Sequence, residues 1–207
     1  MKSLSLTALI SFTLWVACTQ APQAPKAETS EPQATPSTSG NTITISPQNS
    51  KVLAIGTKVT GRHEIIFPIK SGELSLDSTG CISGGKVILD LNGLQVTDLK
   101  GDLKTKLESH LRSEDFFLTS QYPEGSFEIT GCEKRAGDTI LLSGNLSLRG
   151  QTKNIKFPAV LHYTQPKTLH AVANFNINRQ DWGIAYKGKA DDLIRDEVNI
   201  QLEIRSQ

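Results

Sequence analysis

His110 and Asp115 are the two residues whose types and spacing come closest to an acid–base pair. A histidine near a carboxylate can titrate near neutral pH and transfer protons. No Gly-x-Ser-x-Gly nucleophile motif accompanies them in the chain. Alternatively, His110 packs or hydrogen-bonds at a helix C-terminus, where a positive charge suits the helix dipole. We favour this structural interpretation and expect no catalytic residues and no enzymatic activity.

Histidines and cysteines could also bind a metal ion. Cys81 and Cys132 belong to no Cys-x-x-Cys motif. None of the histidines stands at ligand spacing from another histidine or from a cysteine; they are His63, His110, His162 and His170. We therefore expect neither a metal site nor another cofactor.

Arg179 and Asp181 form the third candidate site. They lie two positions apart at the expected end of a strand, so their side chains can share one face. A structural ion pair is the first interpretation. In the second, Arg179 lies at the mouth of a cavity and contacts the polar head of a ligand.

Strands dominate the part of the chain that must position these residues. Polar and apolar residues alternate strictly over 197–204, and 155–163 and 171–177 each present one apolar face. Alternation means that each strand faces solvent on one side and the protein core on the other. Strands separated by Gly and Asn turns favour a closed antiparallel barrel or a sandwich.

One stretch breaks this alternation and predicts a short helix. Asp98 stands where an N-cap belongs. Leucines then recur every four positions, at Leu99, Leu103, Leu107 and Leu111. Phe116 and Phe117 follow, and Pro123 and Gly125 interrupt the chain before the next strand.

The end of this helix resembles the signature of the YceI-like family, bacterial envelope proteins with a lipocalin-like barrel. The matching residues are His110, Leu111, Arg112, Ser113, Asp115, Phe116, Phe117, Tyr122 and Pro123. Residues 144–153 resemble the family's Gly-x-Leu-Thr-x-x-Gly-x-Thr-Lys turn, and 178–184 resemble its Asn-Arg-x-Asp-aromatic-Gly-Ile motif. The resemblance spans about residues 42–206. It implies an all-β fold, a lipocalin-like eight-stranded antiparallel barrel with one short helix.

The resemblance also implies binding or carriage of a long apolar ligand: a polyisoprenoid, an isoprenoid quinone or a fatty-acid derivative. Strand alternation suggests the residues that line the cavity or meet the ligand: Phe67, Leu89, Leu91, Phe116, Phe117, Phe127, Leu146, Phe157, Phe175, Arg179 and Trp182. The alternative is a structural or stress protein of the envelope that acts through a protein partner, without bound lipid. A hydrolase or isomerase with its active site in the barrel is a weaker third class.

The N-terminus predicts export and a lipid anchor. Residues 1–17 form an apolar segment typical of a signal peptide. A small residue before Cys18 fits bacterial lipoprotein processing, although an ordinary secretory signal with an incidental cysteine is the alternative. Residues 18–40 are rich in Pro, Ser, Thr and Ala, which predicts a disordered tether that could extend about 60 Å as polyproline II. Residues 41–207 form the barrel domain. Thr19 after the cysteine suits the periplasmic face of the outer membrane.

Charge and cysteine count limit the partners. A net charge of +1 argues against a nucleic-acid binder. With Cys18 lipidated, Cys81 and Cys132 remain as a natural disulfide pair in an oxidising compartment, or as two unpaired buried thiols. The sequence leaves the oligomeric state open.

Overall fold

The computed structural model describes residues 20–37, 40–165 and 168–207, which form a curled antiparallel sheet and one α-helix. The helix, α1, spans Gly101–Arg112. The strands are β1 Glu28–Ser30, β2 Asn41–Thr44, β3 Lys51–Lys58, β4 Gly61–Ile66, β5 Ile69–Leu76, β6 Ile82–Asp90, β7 Gln95–Val96, β8 Glu124–Lys134, β9 Thr139–Leu148, β10 Gln151–Gln165, β11 Thr168–Asn178, β12 Gly188–Lys189 and β13 Asp192–Arg205.

The strands follow the order β2-β5-β6-β8-β9-β10-β11-β13-β3-β4-β7, with β1 on β10 and β12 on β13. Main-chain hydrogen bonds also join the C-terminal end of β2 and the residues just after it to the C-terminal end of β13 and the residues just after it. The N–H of Ser46 donates to the carbonyl of Arg205 at 2.8 Å, and the N–H of Gln207 donates to that of Thr44 at 2.9 Å. The sheet therefore curls back on itself around an interior.

The all-β prediction with one short helix is confirmed, but the count of eight strands is wrong. Eleven strands form the main path in the described residues, and two more pair beside it. The excess comes partly from very short strands: β7 and β12 have two residues each, and β1 has three. Elements this short carry no detectable alternation.

Alternation decides which side chains face the interior. Among the described side chains of β10, the buried apolar ones are Ile155, Phe157, Ala159 and Leu161, as the sequence predicts. These side chains belong to one hydrophobic cluster with Phe175 and Ile177 of β11. The core therefore lies inside the curl of the sheet.

The predicted helix is present but begins later than expected. Its N-cap is Lys100, not Asp98. The Asp98 carboxylate instead accepts a hydrogen bond from the N–H of Glu64 at 2.9 Å. Leu111 is buried, whereas Leu103 is 64% exposed, so the leucine repeat is not one continuous buried stripe.

Part of the predicted tether is ordered against the sheet. Residues 28–30 form β1 on β10, and Ala27 is buried. The side chain of Asn145 forms two hydrogen bonds with the main chain of Gln33. The expectation of disorder therefore does not hold for residues 26–33. Main-chain pairing gives this segment an ordered course without the large apolar side chains whose absence suggested disorder.

The predicted signal peptide (residues 1–17) and Cys18 lie outside the described residues. In the part of the chain that the structure describes, no helix has the length and apolar character needed to cross a bilayer.

Candidate ligand-binding cavity

The curled sheet encloses an apolar cavity of about 180 Å³. Its border draws on both the strands and the segments around them. Phe117 follows α1, while Trp182 and Ile184 lie in the connection after β11. Typical pockets for drug-sized ligands measure roughly 300–1,000 Å³, so this cavity is small. A long ligand would need the surrounding side chains or strands to move apart.

Aromatic rings occupy much of the cavity border. Phe157 and Phe175 stack with their centroids 3.9 Å apart and their planes inclined by 16°. Phe127 lies 5.8 Å from Phe157. Phe67 and Phe117 meet edge to face at 5.2 Å. Apolar rings of this kind can pack against an apolar chain without needing hydrogen bonds from it.

Nine of the eleven residues predicted to line the cavity or meet the ligand border this cavity: Phe67, Leu89, Phe117, Phe127, Leu146, Phe157, Phe175, Arg179 and Trp182. Their contact with a ligand stays a prediction. In the described residues, Leu91 and Phe116 are not part of the border. Leu91 follows the end of β6 at Asp90, so the alternation that links it to Leu89 has already stopped. Phe116 packs instead on His110 and Tyr186.

Much of the remaining border consists of aliphatic side chains. The sequence-based prediction favoured aromatic residues and did not name them. Alternation was a sufficient signal for most of these residues, because β10, β11 and β13 contribute every second side chain. They include Val52, Ala54, Leu74, Ile82, Val87, Ile129, Leu142, Leu148, Ile155, Ala159, Leu161, Ala171, Ala173, Ile177, Ile184, Val198, Ile200, Leu202 and Ile204.

Arg179 borders the cavity, but its guanidinium is held by the protein. Its side chain is only 5% exposed and forms an ion pair with Asp196 at 2.9 Å. It also donates to the main-chain carbonyls of Ile184 at 2.5 Å and Arg195 at 3.1 Å. Burial lowers the pKa of the Arg179 guanidinium, and the Asp196 carboxylate opposes that shift. The ion pair expected with Asp181 is therefore made with Asp196, and it joins the connection after β11 to β13.

His110 and Asp115 do meet, outside the cavity border. The His110 Nε2 atom lies 2.8 Å from Asp115 Oδ2. The imidazole also packs edge to face on Phe116 at 5.0 Å and on Tyr186 at 4.9 Å. This geometry anchors the residues after α1 against the connection that leads into β12.

The other candidates for chemistry lie elsewhere on the sheet, and His162 and His170 are cross-strand neighbours with their ring centroids 5.8 Å apart. His63 lies beside Asp98, and His170 lies beside Glu203. Within residues 20–37, 40–165 and 168–207, no three histidine, cysteine or acidic side chains are grouped closely enough to hold a metal ion.

The predicted disulfide is confirmed. Cys81 and Cys132 are bonded, with their Cα atoms 6.0 Å apart. The bond joins the residue before β6 to β8 across 51 positions of sequence. Closing a loop of this length stabilises a fold by about 4 kcal/mol in the chain-entropy picture.

Curated relatives share limited stretches with this chain. A UPF0312 protein of Azotobacter vinelandii is 32% identical over 83 residues, covering 36% of this chain and 43% of the relative. Protein YceI of Escherichia coli O6:H1 is 40% identical over 57 residues, covering 28% and 29%. The chain thus spans less than half the length of either relative.

Solved structures share the fold over a longer range. Burkholderia cenocepacia BcnA superposes with a TM-score of 0.68 at 17% identity, covering 79% of this chain and 99% of that one. A polyisoprenoid binding domain from Saccharophagus degradans gives 0.61 at 14% identity, covering 79% and 97%. A YCEI protein of Campylobacter jejuni gives 0.55 at 19%, covering 68% and 84%.

The family itself is shown by the sequence over most of the chain. Residues 43–206 match the YceI-like domain, which includes every strand from β3 to β13 and the helix α1. The curled sheet is also the architecture of the solved structures above. The chain therefore belongs to the YceI-like domain family.

Proposed function

We propose that this protein binds or carries a long apolar molecule inside its curled sheet: a polyisoprenoid, an isoprenoid quinone or a fatty-acid derivative. The apolar cavity is the observation that carries the proposal. A methylene group that leaves water for such a site contributes about 0.8 kcal/mol. The structurally similar Saccharophagus degradans domain is described as polyisoprenoid binding, which supports the same ligand class.

The ligand is recognised by its apolar chain more than by its head group. Arg179 is the charged residue on the cavity border, among the described residues. Its guanidinium already donates to Asp196 and to main-chain carbonyls. Binding by desolvation needs no covalent chemistry, so the protein acts as a carrier or binding protein.

We also propose that the protein is exported and held by a lipid on Cys18 at the periplasmic face of the outer membrane. The apolar segment before Cys18 and the small residue at Ala17 support this proposal. An anchored carrier would meet its apolar ligand at the membrane, where such molecules are concentrated.

The direct test is native mass spectrometry and solvent extraction of protein purified from its own host. We expect a co-purifying apolar molecule, and uptake of a fluorescent fatty acid by delipidated protein. Protein that is reproducibly ligand-free and takes up neither the fatty acid nor an isoprenoid alcohol contradicts the proposal. Capture of a protein partner by such ligand-free material would favour the structural alternative.

A pair of matched variants then locates the ligand. Ala173→Phe places a ring at the cavity border, whereas Ala136→Phe adds the same ring at an exposed turn. Excluding about two methylenes would weaken binding roughly tenfold. We expect that loss for Ala173→Phe and unchanged affinity for Ala136→Phe. Equal affinities in a fluorescence titration would place the ligand elsewhere.

A further inference from the structure

In the described residues, β10 and β11 pair along only part of their length. Pairing runs from Val160 with Val172 to Gln165 with Thr168. Toward the start of β10, residues 154–156 pair with β1 instead. We call residues 154–159 of β10 and 173–178 of β11 the seam.

The N-terminal segment 25–33, which we call the strap, fills the seam. The N–H of Asn176 donates to the carbonyl of Pro25 at 2.9 Å, and the N–H of Ala27 donates to the carbonyl of Asn176 at 2.8 Å. On the other side, Glu28 is the antiparallel partner of Lys156. The strap is therefore bonded to β11 on one side and to β10 on the other.

The strap adjoins two residues of the cavity border. Continuing the register of β10 and β11 would place Phe157 opposite Phe175, the two stacked rings on the cavity border. Ala27 is 3% exposed and belongs to the same hydrophobic cluster as these rings. The small Ala27 side chain thus packs into the core where the two strands separate.

The strap is held mainly by polar contacts. Outside the seam, Asn145 bonds the main chain of Gln33 through both its side-chain oxygen, at 3.0 Å, and its nitrogen, at 2.7 Å. Glu31 forms an ion pair with Lys153 at 2.5 Å, with the Glu31 side chain 83% exposed. Exposed ion pairs contribute little to stability. Short exposed strands with few buried contacts belong to the segments that open most easily.

The neighbouring strand pairs offer no comparable weak point. β9 and β10 are paired continuously from Leu148 with Gln151 to Thr139 with Val160. Separating them would break a whole ladder of hydrogen bonds. Lifting the strap breaks only the bonds of a short segment, which also lies outside the family domain at residues 43–206.

We propose that the strap is a lateral gate: it detaches from the seam, and the apolar ligand enters and leaves between β10 and β11. This inference rests on the proposed function. Such a gate explains how a small cavity inside the curled sheet can take up and release a ligand with a long chain. The ligand does not need to thread through an end of the sheet.

The first test loosens the strap. Ala27→Asp places a charge at the buried position, whereas Ser30→Asp places the same charge at an exposed position of β1. Stopped-flow uptake and release of cis-parinaric acid measure the exchange rates. We expect Ala27→Asp to raise both rates several-fold with little change in Kd, and Ser30→Asp to leave them unchanged. Faster hydrogen exchange at the Asn176 amide confirms that the strap has opened.

The second test ties the strap covalently to β10, so that it cannot leave the seam, and does not depend on the folding of Ala27→Asp. Glu28→Cys with Lys156→Cys joins two antiparallel partners, one in the strap and one in β10. Ser147→Cys with Thr152→Cys is the matched control, a partner pair of β9 and β10 away from the strap. We expect the first disulfide to slow uptake and release several-fold and the control disulfide to leave both rates unchanged.

The outcomes separate the gate from the proposed function. Probe binding with equal rates in the wild type, the loosened variant and the locked variant overturns the gate and leaves the proposed function standing. Absence of binding in the wild type and in Ala27→Asp overturns both. Binding that appears only when the strap is loosened supports the gate.

Discussion

Arg179 shows how a residue suited to ligand contact can serve the fold instead. Its guanidinium is buried, and it donates to the Asp196 carboxylate and to the main-chain carbonyls of Ile184, after β11, and Arg195, in β13. Burial lowers the pKa of Arg179, and Asp196 compensates part of the cost of burying the charge. The ion pair therefore holds the connection after β11 against β13 beside the cavity.

We expect Asp196→Asn to destabilise the protein. It leaves the buried guanidinium without its counter-charge, which should lower the free energy of unfolding by about 1–2 kcal/mol, because Asp196 is itself partly exposed. Asp181→Asn is the matched control and should change stability by less than about 0.5 kcal/mol. Urea denaturation of both variants measures the difference. Equal losses of unfolding free energy in the two variants would show that the contact between Arg179 and Asp196 is not a specific source of stability.

The residues around Phe116 and Phe117 show what sequence can and cannot resolve at this level. Their order and size predict an aromatic cluster after the helix, and one is present. Only contacts distant in sequence decide that Phe117 meets Phe67 at the cavity while Phe116 meets Tyr186. Arg179 likewise finds its counter-ion 17 positions away, beyond any local pattern.

Strands β8 and β9 approach closely beside the cavity, and Gly144 makes this approach possible. A Cβ atom built on Gly144 would lie 2.3 Å from the ring of Phe127 and 2.8 Å from the carbonyl oxygen of Glu128. Gly131, on β8, has ordinary space, since its nearest such neighbour is 3.9 Å away. The absence of a side chain at Gly144 thus sets the position of a ring on the cavity border.

Gly144→Ala should therefore displace Phe127 or part the two strands. Overpacking of this kind costs about 1–3 kcal/mol of stability. Gly131→Ala introduces the same methyl group without a clash, so we expect it to be neutral or slightly stabilising. Thermal unfolding of the two variants tests the comparison. A Gly144→Ala protein as stable as Gly131→Ala would mean that the strands adjust without cost.

Long strands could be predicted from sequence, whereas short ones could not. The alternation of β10, β11 and β13 identifies their inward faces, because each strand is long enough to repeat its pattern several times. β1 is a short strand that the sequence did not predict. Its composition lacks large apolar residues, yet it pairs with β10 because the seam offers unpaired main-chain groups. Open edges are a property of the assembled sheet, so local composition could not reveal them.

Over the whole molecule, the strap changes how far the domain can lie from a membrane. The full tether of residues 18–40 could extend about 60 Å as polyproline II. If Cys18 carries a lipid as proposed, only residues 19–21 lie between it and Pro22, whose carbonyl oxygen accepts a hydrogen bond from the Asn176 side chain at 3.1 Å. Three residues extend about 9 Å at 3.1 Å each. With such a lipid anchor, a docked strap would hold the domain close to the bilayer, and a released strap would lengthen the tether.

The anchor itself predicts where the protein is found in the cell. Cys18→Ser removes the thiol that would carry the lipid, so the protein should move from the membrane fraction to the soluble fraction. Thr19→Ser is the control, because it keeps the cysteine and should remain with the membrane. A carbonate wash before fractionation removes protein bound only through its surface, and intact mass reports the acyl chains directly. Unchanged membrane fractionation of Cys18→Ser after the wash, or a wild-type mass without acyl chains, would contradict the anchor. The inference of a short tether would then fall with it, while the gate at the seam would be unaffected.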